Sequence, residues 1–209
     1  MVVSIAIYEA QKLPTGTLSG GNTTNNFPSS ISGFSKISTF PSRVNGKIPV
    51  QFIGSLACPY CAEFSWSLYS VRNSMGTWHG LENIYSNSKD KYPDTPGLSF
   101  ANTTYSSSII FFLENEISNG HWESYQSLNA TDQKLFSSDD PSGEIPFILI
   151  GGMYLRIGDY YPPAVLANTS GSTIIAWLSS KVKNSITDDI QGVAADIGNV
   201  LTESEKKLT

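Results

Sequence analysis

Short runs of apolar residues, separated by polar and turn-forming residues, predict a succession of buried strands along this chain. The clearest runs are Ile48–Gly54, residues 107–113 and residues 147–150. Residues 62–72 follow the first run and are typical of a helix, and a Gly-Gly turn within residues 144–158 predicts a hairpin. The chain is therefore predicted to be an α/β protein.

The first 46 residues differ from the rest because Pro, Gly and Asn punctuate them closely, which predicts a loop-rich arm. An Asn-Gly pair at its end predicts a tight turn into the strand that follows. The length of 209 residues fits one domain with an appended segment. The predicted division is a loop-rich N-terminal arm over residues 1–46, a main domain over residues 47–187 with an insertion at about 89–142, and a C-terminal helix over residues 188–209.

Three helix starts are predicted from capping residues and apolar spacing in the second half of the chain. Thr131 is expected to cap a short helix. Ser172 is expected to cap a helix that runs to about Ile186 and has one apolar face. Asp188 and Asp189 are expected to open a last helix, in which apolar residues recur at helical spacing.

Charged residues make up only 15% of the chain, well below the about 25% of an average soluble protein. Ser, Thr, Asn and Gly fill the difference, so an extracellular or cell-surface location is expected, with the cytoplasm as the alternative. No stretch is long and apolar enough to span a membrane, so membrane attachment is expected only if an anchor precedes Met1. The net charge of −5 and the lack of a basic run argue against a nucleic-acid partner.

Four Asn-x-Ser/Thr sequons fit a surface that is glycosylated in a secreted protein. They begin at Asn22, Asn102, Asn129 and Asn168. A chain rich in Asn, Ser and Thr also produces such sequons by chance, so the four are candidate glycosylation sites with an unmodified surface as the alternative.

The chain has two cysteines, Cys58 and Cys61, which lie between the first predicted strand and the helix and are separated by Pro59 and Tyr60. A C-x-x-C pair at the first turn of a helix is the arrangement used for thiol–disulfide exchange. The unpaired N–H groups and the positive dipole end of the helix stabilise a thiolate, which is the nucleophile in exchange. Pro59 costs no hydrogen bond there, because a first-turn N–H has no partner within the helix.

Two other interpretations of the cysteine pair remain open. A purely structural disulfide would close a very short loop, which stabilises a fold little. A zinc site needs four ligands, and the two histidines, His79 and His121, lack metal-ligand spacing. A dimer that shares two C-x-x-C pairs would supply four sulfurs. We expect no metal and no cofactor other than a redox-active Cys58–Cys61 disulfide.

The order strand, C-x-x-C, helix, strand, insertion, Ile-Pro strand, hairpin and helix resembles the thioredoxin fold, a central mixed sheet flanked by helices. That fold carries a cis-proline before the strand that faces the cysteines, and Ile145-Pro146 stands at that place. Over roughly residues 46–185 the chain is also similar to an archaeal family of thioredoxin-like proteins of unassigned function. The similar stretches are residues 46–54 running into C-P-Y-C, residues 76–81, residues 92–96 and residues 145–147.

The resemblance implies a role for each residue around the cysteines. Cys58 is expected to be the exposed nucleophile, and Cys61 the more buried thiol that resolves the mixed disulfide. Pro146 is expected to pack beside both sulfurs, and the backbone of Ile145 to pair with a bound peptide. Glu63 is expected in the first helical turn, where a carboxylate favours the dipole, with a proton relay as the alternative.

The implied function is that of a thiol–disulfide oxidoreductase acting on protein disulfides outside the cytoplasm, by oxidation or isomerisation, together with an unknown redox partner. Pro59 and Tyr60 would tune its reduction potential, and the same dipeptide occurs in glutaredoxins. A cytosolic glutaredoxin-like reductase is one alternative. A non-catalytic surface or interaction protein that retained the fold is the other.

Overall fold

Ten strands and four α-helices make up the part of the chain that this computed structural model describes, residues 30–38 and 42–206. The strands are β1 (Ser30–Ile31), β2 (Phe34–Lys36), β3 (Ile48–Gly54), β4 (Thr77–His79), β5 (Glu82–Tyr85), β6 (Pro96–Ser99), β7 (Thr104–Ser106), β8 (Ile110–Glu116), β9 (Phe147–Ile150) and β10 (Tyr154–Ile157). The helices are α1 (Pro59–Met75), α2 (Ala130–Asp139), α3 (Gly171–Ser179) and α4 (Ser185–Lys206). None of these helices is long and apolar enough to cross a bilayer.

A six-stranded mixed sheet forms the centre of the fold, in the order β1-β2-β10-β9-β3-β8. Only β8 runs parallel to its neighbour β3, and the other pairs are antiparallel. The register places Gly54 at the end of β3 opposite Glu116, and Ile53 opposite Phe147 at the start of β9. The residues that precede the cysteines, at the end of β3, therefore lie beside those that follow the Ile-Pro pair, at the start of β9.

Helices cover both faces of this sheet because side chains on successive strand residues point to opposite sides. On one face, Val50 and Phe52 join a large core that includes residues of α1 and α4. On the other face, Ile53 and Phe147 pack with Phe136 of α2 in a smaller cluster. The predicted α/β class, with a central mixed sheet flanked by helices, is confirmed.

Strand β6 fixes α1 against the rest of the domain. Gly97 lies so close to the helix that a Cβ on it would come within 2.6 Å of the Cα of Ala62. The Trp66 indole Nε1 donates to the carbonyl of Pro96 at 2.8 Å, and Ser65 Oγ accepts from the N–H of Leu98 at 2.9 Å. The start of α1, which carries the cysteines, is thereby held in place.

Both edges of the central sheet differ from what the sequence pattern predicts. Residues 30–36 form β1 and β2, which extend the central sheet beyond β10, while residues 1–29 of the predicted arm lie outside the described residues. Strand β8 ends three residues later than predicted and includes two glutamates. The tight turn at Asn45-Gly46 is confirmed, since both residues have positive φ, 52° and 75°.

The predicted cap of α2 is wrong by two residues. Asn129, and not Thr131, is the N-cap, and its Oδ1 accepts from the N–H groups of Thr131 and Asp132, each at 2.9 Å. Asn is among the strongest N-cap residues, because its short amide reaches the free N–H groups of the first turn.

The single helix predicted from Ser172 to about residue 186 is also wrong, since the chain forms two helices there. Ser170 caps α3 by accepting from the N–H of Thr173 at 3.2 Å, and α3 ends at Ser179. Helix α4 begins at Ser185, three residues before its predicted start. Asn184 Oδ1 accepts from the N–H of Thr187 at 2.9 Å, so a second cap interrupts the pattern of apolar residues that looked continuous.

Candidate functional site

The turn between β3 and α1 delivers the cysteines, and hydrogen bonds fix it on two sides. The Ser55 and Ser118 hydroxyls hydrogen-bond to each other, and the N–H of Leu56 donates to the carbonyl of Ser118 at 3.1 Å. On the other side, the N–H of Asn87 donates to the carbonyl of Ala57 at 2.9 Å. The site is therefore built on a fixed turn rather than on a free loop.

Cys58 is the N-cap of α1, and its Sγ accepts from the N–H of Cys61 at 3.2 Å. The hydrogen bond from the Cys61 thiol lowers the pKa of Cys58 most, and the backbone N–H groups of Cys61 and Tyr60 add to that effect. Burial and the charge of Asp90 oppose it but do not reverse it. Pro59 follows as the first helical residue, as predicted. Cys58 is therefore the thiol of the pair that ionises more readily.

Cys61 has the opposite electrostatic environment. Burial raises its pKa well above the ordinary value, and the neighbouring Cys58 and Glu116 raise it further. Both thiols are free in this structure. Among the described residues, no group of three or more His, Cys, Asp or Glu side chains is placed to hold a metal ion. The pair thus combines one thiol that ionises readily with one that stays protonated.

The predicted exposure of Cys58 is wrong, because the residue is only 3% exposed, as is Cys61. The Cys58 sulfur turns inward to cap the helix and comes within 3.9 Å of the Ile145 carbonyl oxygen. The Ile145–Pro146 peptide bond is cis, as the resemblance implies, and Pro146 is buried. The structure therefore brings the predicted Cys58, Cys61, Ile145 and Pro146 together, with the nucleophile partly covered.

A cleft of about 390 Å³ opens beside Cys58. Four of its lining residues come from the sequence-predicted site: Cys58, Pro59, Tyr60 and Ile145. The others come from loops far apart in the chain, and they include an exposed tryptophan and three acidic residues: Asp90, Trp122, Gly143, Glu144, Gly158 and Asp159. The sequence analysis missed these loop residues, since no motif links them along the chain.

Trp122 stands out on the wall of this cleft because 49% of its surface is exposed. Its φ of +64° is unusual for a bulky residue. The Asn119 side chain fixes that turn, because its Oδ1 accepts from the N–H groups of His121 at 2.8 Å and Glu123 at 3.1 Å. The indole is therefore presented to solvent by a turn with a defined conformation.

Glu116 is a buried carboxyl group that the sequence analysis missed. It lies opposite Gly54 and is 2% exposed, and burial raises its pKa to about 8 with a further contribution from Glu114. The N–H of Phe100 donates to this carboxyl group, while Oε2 has no hydrogen-bond partner among the described residues. The sequence signal that could have identified Glu116 is an acidic residue at the end of an apolar strand.

Glu63 is not in the first turn of α1, which corrects the prediction. It is the fifth residue of the helix and is 0% exposed. Burial raises the pKa of Glu63 well above its ordinary value, and the N–H of Tyr161 and the charge of Arg156 offset only part of this. The Tyr161 hydroxyl donates to the Glu63 carbonyl at 2.9 Å, so the loop after β10 covers this side of the helix.

Three of the four sequons lie on the described surface. Asn102, Asn129 and Asn168 are exposed, while Asn22 lies outside the described residues. Asn129 uses its side-chain oxygen to cap α2. Glycosylation at these positions stays a prediction.

The chain matches a known family model over about half of its length. Residues 33–139 match the model of a family described as a domain of unknown function, DUF929. The match includes Cys58 and Cys61 and ends before Ile145 and Pro146. No curated protein and no solved structure matches the chain. Because the family match covers more than half of the 209 residues, the chain belongs to this uncharacterised domain family.

Proposed function

We propose that this chain is a thiol–disulfide oxidoreductase that acts on protein disulfides through Cys58 and Cys61. One observation carries the proposal: the Cys58 sulfur caps a helix and also lies 3.9 Å from the Ile145 carbonyl, before a cis-proline. Helix capping favours the thiolate, and the backbone beside the sulfur is available to align an extended substrate. Cys61, whose raised pKa keeps it protonated, is suited to the second step.

A thioredoxin-like fold is part of this proposal. The order β8-β3-β9-β10, with only β8 parallel to β3, supports it. Helix α1 connects β3 to the later strand β8, α2 lies between β8 and β9, and α4 follows the β9–β10 hairpin. On the same basis we propose that the chain belongs to the archaeal family of thioredoxin-like proteins. The C-P-Y-C segment and the other similar stretches support this assignment.

The proposed exchange takes two steps that balance in atoms and electrons. The Cys58 thiolate attacks one sulfur of a substrate disulfide, whose S–S bond breaks, and the other substrate sulfur leaves and takes a proton from water. Cys61 then loses its proton and attacks the Cys58 sulfur, which releases the first substrate sulfur as a thiol. Two electrons pass from the protein dithiol to the substrate disulfide, and substrate oxidation is the reverse sequence.

The second step needs a group that accepts the Cys61 proton, and we assign this role to Glu116 rather than to Glu63. Glu116 and Glu63 are both linked electrostatically to Cys58, but the charge of Glu116 also raises the pKa of Cys61. With a pKa of about 8, Glu116 is ionised in a minor fraction of molecules near neutral pH and reprotonates easily. Glu63 stays the alternative proton relay.

An extracellular or cell-surface location is proposed with this function, and a cytoplasmic reductase stays the alternative. The three described sequons lie on the surface, where glycosylation needs them. Lys206 pairs with Glu203 at 3.8 Å on the surface of α4, and a surface pair of this kind contributes little to stability. A measured reduction potential near that of thioredoxin would contradict the oxidising role.

The experiment compares the wild-type protein with Cys58→Ser in two assays, reduction of insulin by dithiothreitol and refolding of a scrambled disulfide protein. Wild type should accelerate both reactions, and Cys58→Ser should fall to the uncatalysed rate because the nucleophile is gone. Ser tests the sulfur alone, since its hydroxyl can still cap the helix. Equal rates with both proteins would overturn the proposal and favour a non-catalytic interaction protein.

A further inference from the structure

We infer that the cleft beside Cys58 selects cationic substrates, namely polypeptide segments with Lys or Arg next to the reacting cysteine. This inference rests on the proposed function, and it names the substrate class for that same site. It follows that small anionic disulfides such as that of glutathione are poor substrates. Three features of the site support the inference: the charges on the cleft, the aromatic ring beside them, and the position of both relative to the sulfur.

Three carboxylates line the cleft, those of Asp90, Glu144 and Asp159. Glu144 and Asp159 are exposed, and within the described part of the chain none of the three has an ion-pair partner within 4 Å. No Lys or Arg is among the lining residues. The charge of the cleft wall is therefore negative, and it adds to the negative charge of a Cys58 thiolate.

Two basic side chains lie near the cleft without lining it. The Lys91 ammonium lies 5.0 Å from the centre of the Tyr92 ring, and the Arg156 guanidinium lies 3.7 Å from that of Tyr160. Arg156 also donates to the backbone carbonyl of Asp159 at 3.5 Å, and among the described residues it forms no ion pair within 4 Å with the Asp159 carboxylate. The two cations weaken the negative potential of the cleft, but the three carboxylates outnumber them.

Trp122 supplies the second element of cation recognition. Its indole is half-exposed on the wall that also carries the carboxylates, and the Asn119 turn holds it there. An ammonium or guanidinium group over an indole face is attracted by the electrons of the ring, and the attraction is stronger when the cation is partly desolvated. A carboxylate and an indole on one cleft wall favour a Lys or Arg side chain over a neutral or acidic one.

The position of these groups relative to the sulfur sets where the cation must lie. An extended peptide that pairs with the Ile145 backbone advances roughly 3.3 Å per residue, so the residues that flank its cysteine come to lie along the cleft wall. Electrostatic attraction there raises the encounter rate and takes no part in bond making. The covalent steps stay as described: the Cys58 thiolate attacks, and Cys61 resolves.

The test uses three synthetic peptides that differ only in the two residues flanking a single cysteine, which are Lys, Gln or Glu. The cysteine is linked to thionitrobenzoate, and reduced protein releases the thionitrobenzoate anion as Cys58 takes the peptide into a mixed disulfide that Cys61 then resolves. The second-order rate constant should be about tenfold higher for the Lys peptide than for the Gln peptide at low salt, and lowest for the Glu peptide. The ratio should shrink as salt screens the charges.

Variants locate the source of the preference. The double variant Glu144→Gln/Asp159→Asn should lower the Lys-to-Gln rate ratio strongly, with Asp90 and Trp122 keeping a small part of it, and Trp122→Ala alone should also lower the ratio. Glu205→Gln should leave the ratio unchanged. Glu205 is an exposed carboxylate beside Ser204, whose Oγ lies near Gly151, at the end of β9 away from Ile145. A rate ratio also cancels any change in the reactivity of Cys58 itself.

The outcomes separate this inference from the function on which it rests. Equal rates for all three peptides would overturn the selectivity and leave the exchange activity standing. A Lys preference that is undiminished in the double variant would also overturn it, since the charges would then act from elsewhere. No reaction with any peptide would overturn the proposed function itself. A Lys preference that is strongly reduced in the double variant and kept in Glu205→Gln is the expected result.

Discussion

Replacing Glu116 with Gln should stabilise the protein at neutral pH and destabilise it slightly in acid. Burial raises the pKa of Glu116 to about 8, whereas the group ionises near 4.5 when the chain is unfolded. A group whose pKa is raised by folding supports the fold fully below its unfolded pKa. That support is lost as the pH rises through the folded pKa. The free energy of unfolding therefore decreases as the pH rises from 4.5 to about 8.

The magnitude follows from the same two values. Each pH unit between them removes about 1.4 kcal/mol from the free energy of unfolding, so the loss at pH 7 relative to acid is about 3 kcal/mol. The glutamine side chain of the Glu116→Gln variant can still accept from the N–H of Phe100, but it places an amide where Oε2 had no partner, which costs roughly 1 kcal/mol. The net gain expected from Glu116→Gln is therefore about 2 kcal/mol at pH 7.

The assay is urea unfolding of wild type, Glu116→Gln and Glu205→Gln at a series of pH values from 4 to 8. The stability difference between Glu116→Gln and wild type should grow with pH, while the exposed Glu205→Gln should follow wild type throughout. Glu63 keeps some pH dependence in the Glu116→Gln variant, because its pKa is also raised. A difference that is constant across the pH range would refute the assignment of Glu116 as a buried, protonated group. The same variant should resolve mixed disulfides more slowly, a trade of activity for stability.

Three further changes test other parts of the structure. Cys61→Ser should accumulate a mixed disulfide with a protein substrate, seen as added mass without reductant; rapid release of substrate would contradict the role of Cys61 as the resolving thiol. Asp90→Asn should lower the pKa of Cys58, because the charge of Asp90 raises it. The ultraviolet absorbance of the thiolate, followed against pH, measures the shift. An unchanged or raised pKa would show that the charge of Asp90 does not act on Cys58. Gly97→Ala should destabilise the fold by about 1–3 kcal/mol, because the added Cβ would clash with the backbone of α1. Gly192→Ala should instead stabilise the fold by roughly 0.5–1 kcal/mol, because Gly192 lies in α4 with open space around it. Equal thermal midpoints for these two glycine variants would argue against the close packing of β6 on the helix.

The covalent centre of the site is visible in the sequence because its residues are close together along the chain. Cys58 and Cys61 follow a strand and begin a helix, so their local geometry depends on short-range hydrogen bonding. Pro146 is recognisable because it comes immediately before a strong apolar strand. The local geometry of such residues is predictable from the sequence, since neighbours along the chain are also neighbours in space.

The surroundings of the site are not visible in the sequence, because they depend on which loops meet. Trp122 and Asp159 reach the cleft from segments that only the sheet topology brings together. The burial of Glu63 is likewise not predictable from the sequence. Its position near a helix start favours an exposed carboxylate, but the loop with Tyr161 covers that face. Burial is a property of the packed molecule, so the position of Glu63 along the chain does not reveal it.

The order of the central sheet limits how this protein can be divided. Strand β9 sits between β3 and β10, yet it begins after residue 139, where the family match stops. A fragment cut at that point would keep both sulfurs and lose strand β9, the antiparallel neighbour of β3, together with Ile145, whose carbonyl lies 3.9 Å from the Cys58 sulfur. The boundaries of the recognisable family segment are therefore not the boundaries of a working unit, and homologues should be compared over the longer span that ends with α4.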